Sequence, residues 1–355
     1  MPIPLKDELA AGILDRFAEV NGIASGKQAI KLLRKSATGK RHRPDIWLLA
    51  DACGVEENIF MSRHSMLPVM YPISAYHGGP HETKQKHTIA RRGFGTALSE
   101  FRCCPECARL DLEIRGFSHL RRRHQIDGVH WCIEHRIPLL QAVEKASPAG
   151  SNISIRLDGI ASNDEEGFSN PALLRLERIL TDWLQKGRPL PLQAWSKVIG
   201  ERCRAVGLRV GEIGKREVVS DWIGEQFPDR WLSKYFPEIL AKSPKGYVRK
   251  IDGACVDKHV SYPSLACAAI LAVLYPSSDE ALAALNEVDR RINDESIFKL
   301  PRDKALLAFM RGESLQVACD SVGVKLSEVE IHLRDIVGKR SLHLSNKYLF
   351  APPTN

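Results

Sequence analysis

No stretch of this chain is both long and apolar enough to cross a bilayer. The longest uncharged segment, residues 260–278, is cut by Pro263 and Pro276. The apolar run between them, Leu265–Tyr275, has the length of a buried helix. The opening residues Met-Pro-Ile-Pro-Leu-Lys-Asp-Glu put prolines and acids where a secretory signal needs a basic and then an apolar run. A soluble, cytoplasmic protein without membrane contact is therefore expected. A phosphate-cradling loop is also missing: Gly93-Phe94-Gly95 is not followed by Gly-Lys-Ser/Thr, so ATP hydrolysis is not expected of this chain. Nor is there an acidic cluster spaced for two metals. Asp127 beside Gly128 is the acid nearest the basic centre of the chain, and a turn explains it. A zinc-supported, metal-dependent nuclease needs a metal with an open position and a general base, and the sequence offers neither in a recognisable pattern. No catalytic residue is assigned. Strong charge is absent too: 51 Lys and Arg against 43 Asp and Glu give a net +8, compatible with nucleic acid but not diagnostic of it.

What is present is a cluster. Nine cysteines is an odd number, and four of them, Cys103, Cys104, Cys107 and Cys132, fall close together. Cys53, Cys203, Cys255, Cys267 and Cys319 are scattered in apolar or helical settings, which suits buried thiols in a reducing compartment. Cys104 and Cys107 are separated by two residues, and so are Cys132 and His135. Two such knuckles close a tetrahedral shell and leave no open position, so one structural Zn2+ is expected on Cys104, Cys107, Cys132 and His135. Cys103 competes with Cys104 for the first place, with three intervening residues instead of two. His124 and His130 are rivals in the second half, although His124 could instead donate to a ligand. Gly116 and Gly128 mark turns, and Phe117, Leu120, Val129 and Trp131 form the expected small core. Arg121, Arg122 and Arg123 lie between the knuckles and are candidate DNA contacts. The module is expected to fold by itself, so that Cys107→Ser unfolds it and spares the helices of 171–337.

The N-terminal region reads as helical. Leu9, Ile13, Leu14, Phe17 and Val20 recur at helical spacing and Asn21-Gly22 ends the helix. A second helix from about Lys27 carries Lys27, Lys31, Arg34 and Lys35 on one face. With Lys40, Arg41 and Arg43 these make seven basic residues and no acid from 27 to 43, either a solvated face or a phosphate-contacting surface. Leu49 to Val55, with Ala50 and Gly54, has the small-residue-to-glycine spacing of a helix-turn-helix. His64, His77, His81 and His87 match no metal spacing and read as loop or surface histidines. Beyond a linker at about 150–168, two amphipathic helices and an aromatic-rich core follow. Residues 302–337 repeat the helix-turn-helix spacing at Ala318–Val324, and Ser327-Glu328-Val329-Glu330 reads as a capping box for its last helix. Three acids on that helix weigh against phosphate contact.

Cys104-Pro105-Glu106-Cys107, Gly116, His124-Gln125, Gly128-Val129, Cys132 with His135, and Leu139-Leu140 together resemble the TniQ/TnsD family of transposon target-selection proteins. Pro4, Glu8 and Asn21-Gly22 fit the family's opening helices. The strong part of the likeness covers about 1–140. It implies a non-catalytic protein that binds double-stranded target DNA, or a CRISPR guide-RNA surveillance complex at that DNA, and recruits an AAA+ transposition ATPase. It also implies a bacterial, nucleoid-associated location; a homodimer is compatible with such a role. A purely protein-docking adaptor is the alternative. The expected fold is mainly α: an N-terminal helix-turn-helix-like region at 1–100, a small zinc-ribbon-like module at 101–145, and an all-helical domain at 168–340 with its helix-turn-helix at about 302–337.

Overall fold

The computed structural model describes residues 2–36, 43–74, 90, 93–94, 101–142, 169–186, 190–256, 262–296, 301–310 and 313–337. Lys40 and Arg41 lie outside them, as do His77, His81, His87 and the linker expected at 150–168. The protein is mainly α, with four short strands among the described residues. It divides into two compact units, one within Met1–Ala75 and Gln85–Leu285, the other within Tyr76–Lys84 and Asn286–Asn355.

The first unit begins with α1 (Ala10–Val20), α2 (Gly26–Ser36), α3 (Asp45–Cys53), α4 (Glu57–His64) and α5 (Leu67–Met70). Asn21 caps α1, and Gly22 takes the positive φ that ends it. The α3–α4 turn is made at Gly54, whose φ of 67° is the left-handed value a side chain would strain. Ile13, Leu14, Ala29, Ile46, Leu49, Ala50 and Phe60 fill the core that these helices share. A buried ion pair fixes the chain ahead of α1: Glu8, fully buried, accepts Arg16 at 2.7 Å. His64 is not a surface histidine. It is buried at the end of α4, where its Nδ1 lies 2.9 Å from the Glu8 carbonyl oxygen.

Strand β1 (Ile73–Ser74) follows, then β2 (Phe101–Cys103), α6 (Pro105–Arg115), a 3-10 turn (Arg122–Gln125) and β3 (Leu140–Ala142). β2 and β3 pair antiparallel and tie the two ends of this segment together. α7 (Pro171–Lys186), α8 (Leu192–Ala205), α9 (Val219–Gln226), α10 (Asp229–Tyr235), α11 (Pro237–Ala241), α12 (Arg249–Asp252) and α13 (Ser264–Leu274) complete the helical body. Strand β4 (Leu190–Pro191) pairs parallel with β1 and joins that body to the N-terminal helices. α13 is apolar on every side, so it is buried on every side: Leu265 through Leu274 are all inaccessible. Its last carbonyls are satisfied by guanidinium groups, Arg175 on Ala272 and Arg202 on Leu274.

The second unit contains α15 (Pro301–Met310), α16 (Leu315–Val322) and α17 (Leu326–Val337), which follow α14 (Ser278–Ser296). Ala305, Ala318, Cys319 and Val329 form its own core, and Gly323 makes the left-handed turn between α16 and α17. The capping box expected at Ser327 is not there. α17 starts one residue earlier, so the Lys325 carbonyl takes the first helical bonds and Ser327 sits within the first turn. A serine cap exists one helix upstream, where Ser314 accepts from the Val317 N–H.

Candidate metal centre

α6 begins where the first knuckle ends. Cys104 is its N-cap, and its sulfur accepts from the Cys107 N–H at 3.4 Å. Pro105 suits the first helical turn, where no N–H is needed. The second knuckle is a tight turn in which Arg136, at φ 54°, donates its N–H to the Cys132 carbonyl. The four donor atoms of Cys104, Cys107, Cys132 and His135 lie within 4.8 Å of one another. His135 Nδ1 is 3.4, 3.4 and 3.5 Å from the sulfurs of Cys104, Cys107 and Cys132, and Cys107 and Cys132 are 3.8 Å apart. A tetrahedral zinc with Zn–S of about 2.3 Å and Zn–N of about 2.0–2.1 Å has edges of about 3.8 Å between sulfurs and about 3.5 Å from sulfur to nitrogen. The four side chains fit a zinc shell on that measure. Cys103 is buried outside the cluster, and desolvation pushes its thiol up to about 12, away from the thiolate a metal needs.

The two rival histidines have other roles. His124, buried beneath the site, places Nε2 3.7 Å from the Cys132 sulfur, the position of a donor to a ligand. His130 faces away, between Arg102 at 3.1 Å and the Tyr235 hydroxyl at 2.7 Å. Burial, then the charges of Arg102, Lys234 and Arg230, hold its imidazole down to about 3, so it is neutral there. Asp127 makes the expected turn, accepting from the Gly128 N–H at 3.1 Å. Leu120, Val129 and Trp131 are buried as expected, while Phe117 is half-buried under the Arg16 guanidinium.

The three central arginines are turned inward, contrary to a groove-facing row. Arg121 pairs with Asp111 at 2.9 Å. Arg122, 5% exposed, donates to the carbonyls of Ser62 and Ser65 and lies 3.4 Å from Asp7. Arg123 is held by Asp7 and Glu134. Their charges knit the module to α4 and to the segment before α1. Arg34 and Arg43 are likewise engaged, with Asp45 and with Asp51 and Glu57. Of the basic residues singled out in the sequence and described in the structure, Lys27, Lys31 and Lys35 remain exposed, in line on α2.

The segment has a second set of attachments that no spacing pattern announces. The Trp131 indole N–H donates to Glu177 of α7, which also takes Arg136 at 2.6 Å. The Trp231 indole donates to the Gly128 carbonyl at 2.9 Å. Arg102, buried, donates to the carbonyls of Val129 and Ile126 at 2.7 Å each. The centre is thus bound on one side to the N-terminal helices and on the other to α7 and α10.

Residues 1–139 match the TniQ family model. They belong to the TniQ family. The match ends as the strand β3 begins, so the TniQ region comprises the N-terminal helices and both metal knuckles. It marks the chain as a transposition-associated protein. No curated protein matches the chain. Among the described residues, no single helix is long and apolar enough to cross a membrane.

Proposed function

We propose that this chain is a non-catalytic target-site selector of a heteromeric bacterial transposon. It binds double-stranded target DNA on the nucleoid and recruits the AAA+ ATPase that licenses the transposase. One observation carries the reading: the TniQ match coincides with a closed four-ligand shell and with the exposed lysines of α2. Cys104, Cys107, Cys132 and His135 hold one zinc ion, and a shell of four protein ligands makes its role structural. Arg122 and Arg123 then fix the knuckles to the N-terminal helices. Lys27, Lys31 and Lys35 offer three phosphate contacts at helical spacing. α3 and α4 supply the helix-turn-helix.

The second unit favours a protein partner. Residues 301–337 carry five basic and six acidic side chains, so no excess positive charge draws them to phosphate. Val317 and Ile331, more than half exposed, are apolar on the same three-helix unit. The ATPase or a guide-RNA surveillance complex docks there. The test is retention of the element's own ATPase on immobilised target duplex. Retention only when this chain is present supports the proposal. Retention on protein complexes with no duplex present supports the docking adaptor, and no retention in either arm refutes recruitment.

A further inference from the structure

Between α8 and α9 the chain forms a finger, residues 207–217, that none of the roles above uses. It is built by three glycines at positive φ: Gly207 at 82°, Gly211 at 105° and Gly214 at 141°. It is also pinned. The Arg209 N–H donates to the Glu217 carbonyl at 2.7 Å, and its guanidinium donates to the Gly214 carbonyl and, at 3.0 Å, to the Lys245 carbonyl. Glu217 is tied in turn by the Trp222 indole N–H at 3.3 Å. At the tip, between Gly211 and Gly214, Ile213 is 95% exposed, the most exposed of the large apolar side chains in the structure. An isoleucine there contributes nothing to the core, and a loop held at both ends keeps it pointed outward.

Its neighbours define what it fits. Lys215 and Arg216 follow directly and are exposed, and the Arg209 bond brings exposed Lys245 alongside. Counting Arg209 and the acids Glu212 and Glu217, the finger carries +1, and +2 with Lys245. A rigid apolar tip flanked by cations is the arrangement that enters a minor groove, wedges between base steps and kinks the duplex. We propose that this finger is a second DNA contact: Ile213 inserts into the minor groove of duplex DNA while Lys215, Arg216 and Lys245 hold the flanking phosphates. The proposal rests on the DNA-binding reading above and extends it to a surface outside the TniQ match.

The test uses the full chain and a duplex carrying 2-aminopurine at successive positions, with end-labelled dyes to report bending. The wild type should raise 2-aminopurine fluorescence at one step and shorten the end-to-end distance. Ile213→Ser should abolish both signals and lower affinity several-fold, with an unchanged circular dichroism spectrum. Lys215→Ala with Arg216→Ala should keep the kink signal but lower the slope of log K against log salt by about 1.8, two phosphates at about 0.9 each. Glu212→Gln should tighten binding. A wild type that binds duplex with neither signal dependent on these residues overturns the finger's role and leaves the α2 contact standing. A wild type that binds no duplex at low salt overturns both. Loss of protein-partner binding alone, with duplex binding intact, assigns the tip to a protein and refutes the wedge.

Discussion

Removing one zinc ligand tests how far the metal centre supports the fold. Cys107→Ser leaves three ligands and an unsuited hydroxyl. A structural zinc contributes about 10–16 kcal/mol of apparent folding free energy at neutral pH, as much as the roughly 5–15 kcal/mol by which a whole domain is stable. How far the damage spreads depends on the attachments. Opening the knuckles removes the partners of Glu177, Trp231, Tyr235 and Arg136. Each buried polar group left unpaired costs about 1–3 kcal/mol. Four of them together approach the stability of the domain before the lost burial of Trp131, Val129 and Ile126 is counted. The helices α7 and α10 should therefore lose protection together with the knuckles. Hydrogen exchange followed by mass spectrometry, with metal content measured in parallel, checks this. In Cys107→Ser, residues 101–139 and 171–235 should exchange alike, while 315–331, with its own core, should keep wild-type protection. Retained protection over 171–235 beside a lost 101–139 would refute the argument and restore the picture of an independent module.

Three further outcomes follow from the same geometry. Glu177→Gln keeps the shape but weakens the acceptor shared by Trp131 and Arg136, and should cost about 1–3 kcal/mol, read as a lowered midpoint in urea. Gly128→Ala should destabilise by about 1–3 kcal/mol, because φ is +82° and a new Cβ would sit 2.4 Å from the Leu265 side chain; a wild-type midpoint would contradict this. Asp111 is buried, which raises its carboxyl, but its bond to His119 and the charges of His119, Arg121 and Arg115 outweigh burial, so its net shift is down. A depressed carboxyl contributes stability above its unfolded value and loses it as pH falls through the folded value. The acid limb of stability, measured by urea melts below neutral pH, should therefore flatten in Asp111→Asn; an unchanged limb would remove Asp111 from the account.

The metal ligands were legible because tetrahedral coordination imposes short, fixed spacings on the chain. The helices were legible where one face is apolar, as at Ile13, Leu14 and Phe17, or where every face is, as in Leu265–Leu274. What spacing could not show was direction. Arg121–Arg123 read as a basic run, yet three acids from separate segments, Asp7, Asp111 and Glu134, turn them inward. His64 read as a loop histidine because its partner, the Glu8 carbonyl, is 56 positions away. The union of the knuckles with α7 and α10 depends on contacts such as Trp231 to Gly128, 103 residues apart, and no local pattern encodes them. The Ser327 cap failed for a smaller reason: the helix begins one residue before the side chain that suited its start.

The account's central claim is that the TniQ region presents a phosphate-binding face held in place by the metal centre. The most direct measurement is the salt dependence of duplex binding by fluorescence anisotropy, wild type beside Lys27→Ala, Lys31→Ala and Lys35→Ala combined. The account predicts a steep wild-type slope that falls by about 2.7 in the triple variant, three phosphates at about 0.9 each. A wild type without duplex binding at low salt, or a triple variant with the wild-type slope, would contradict it.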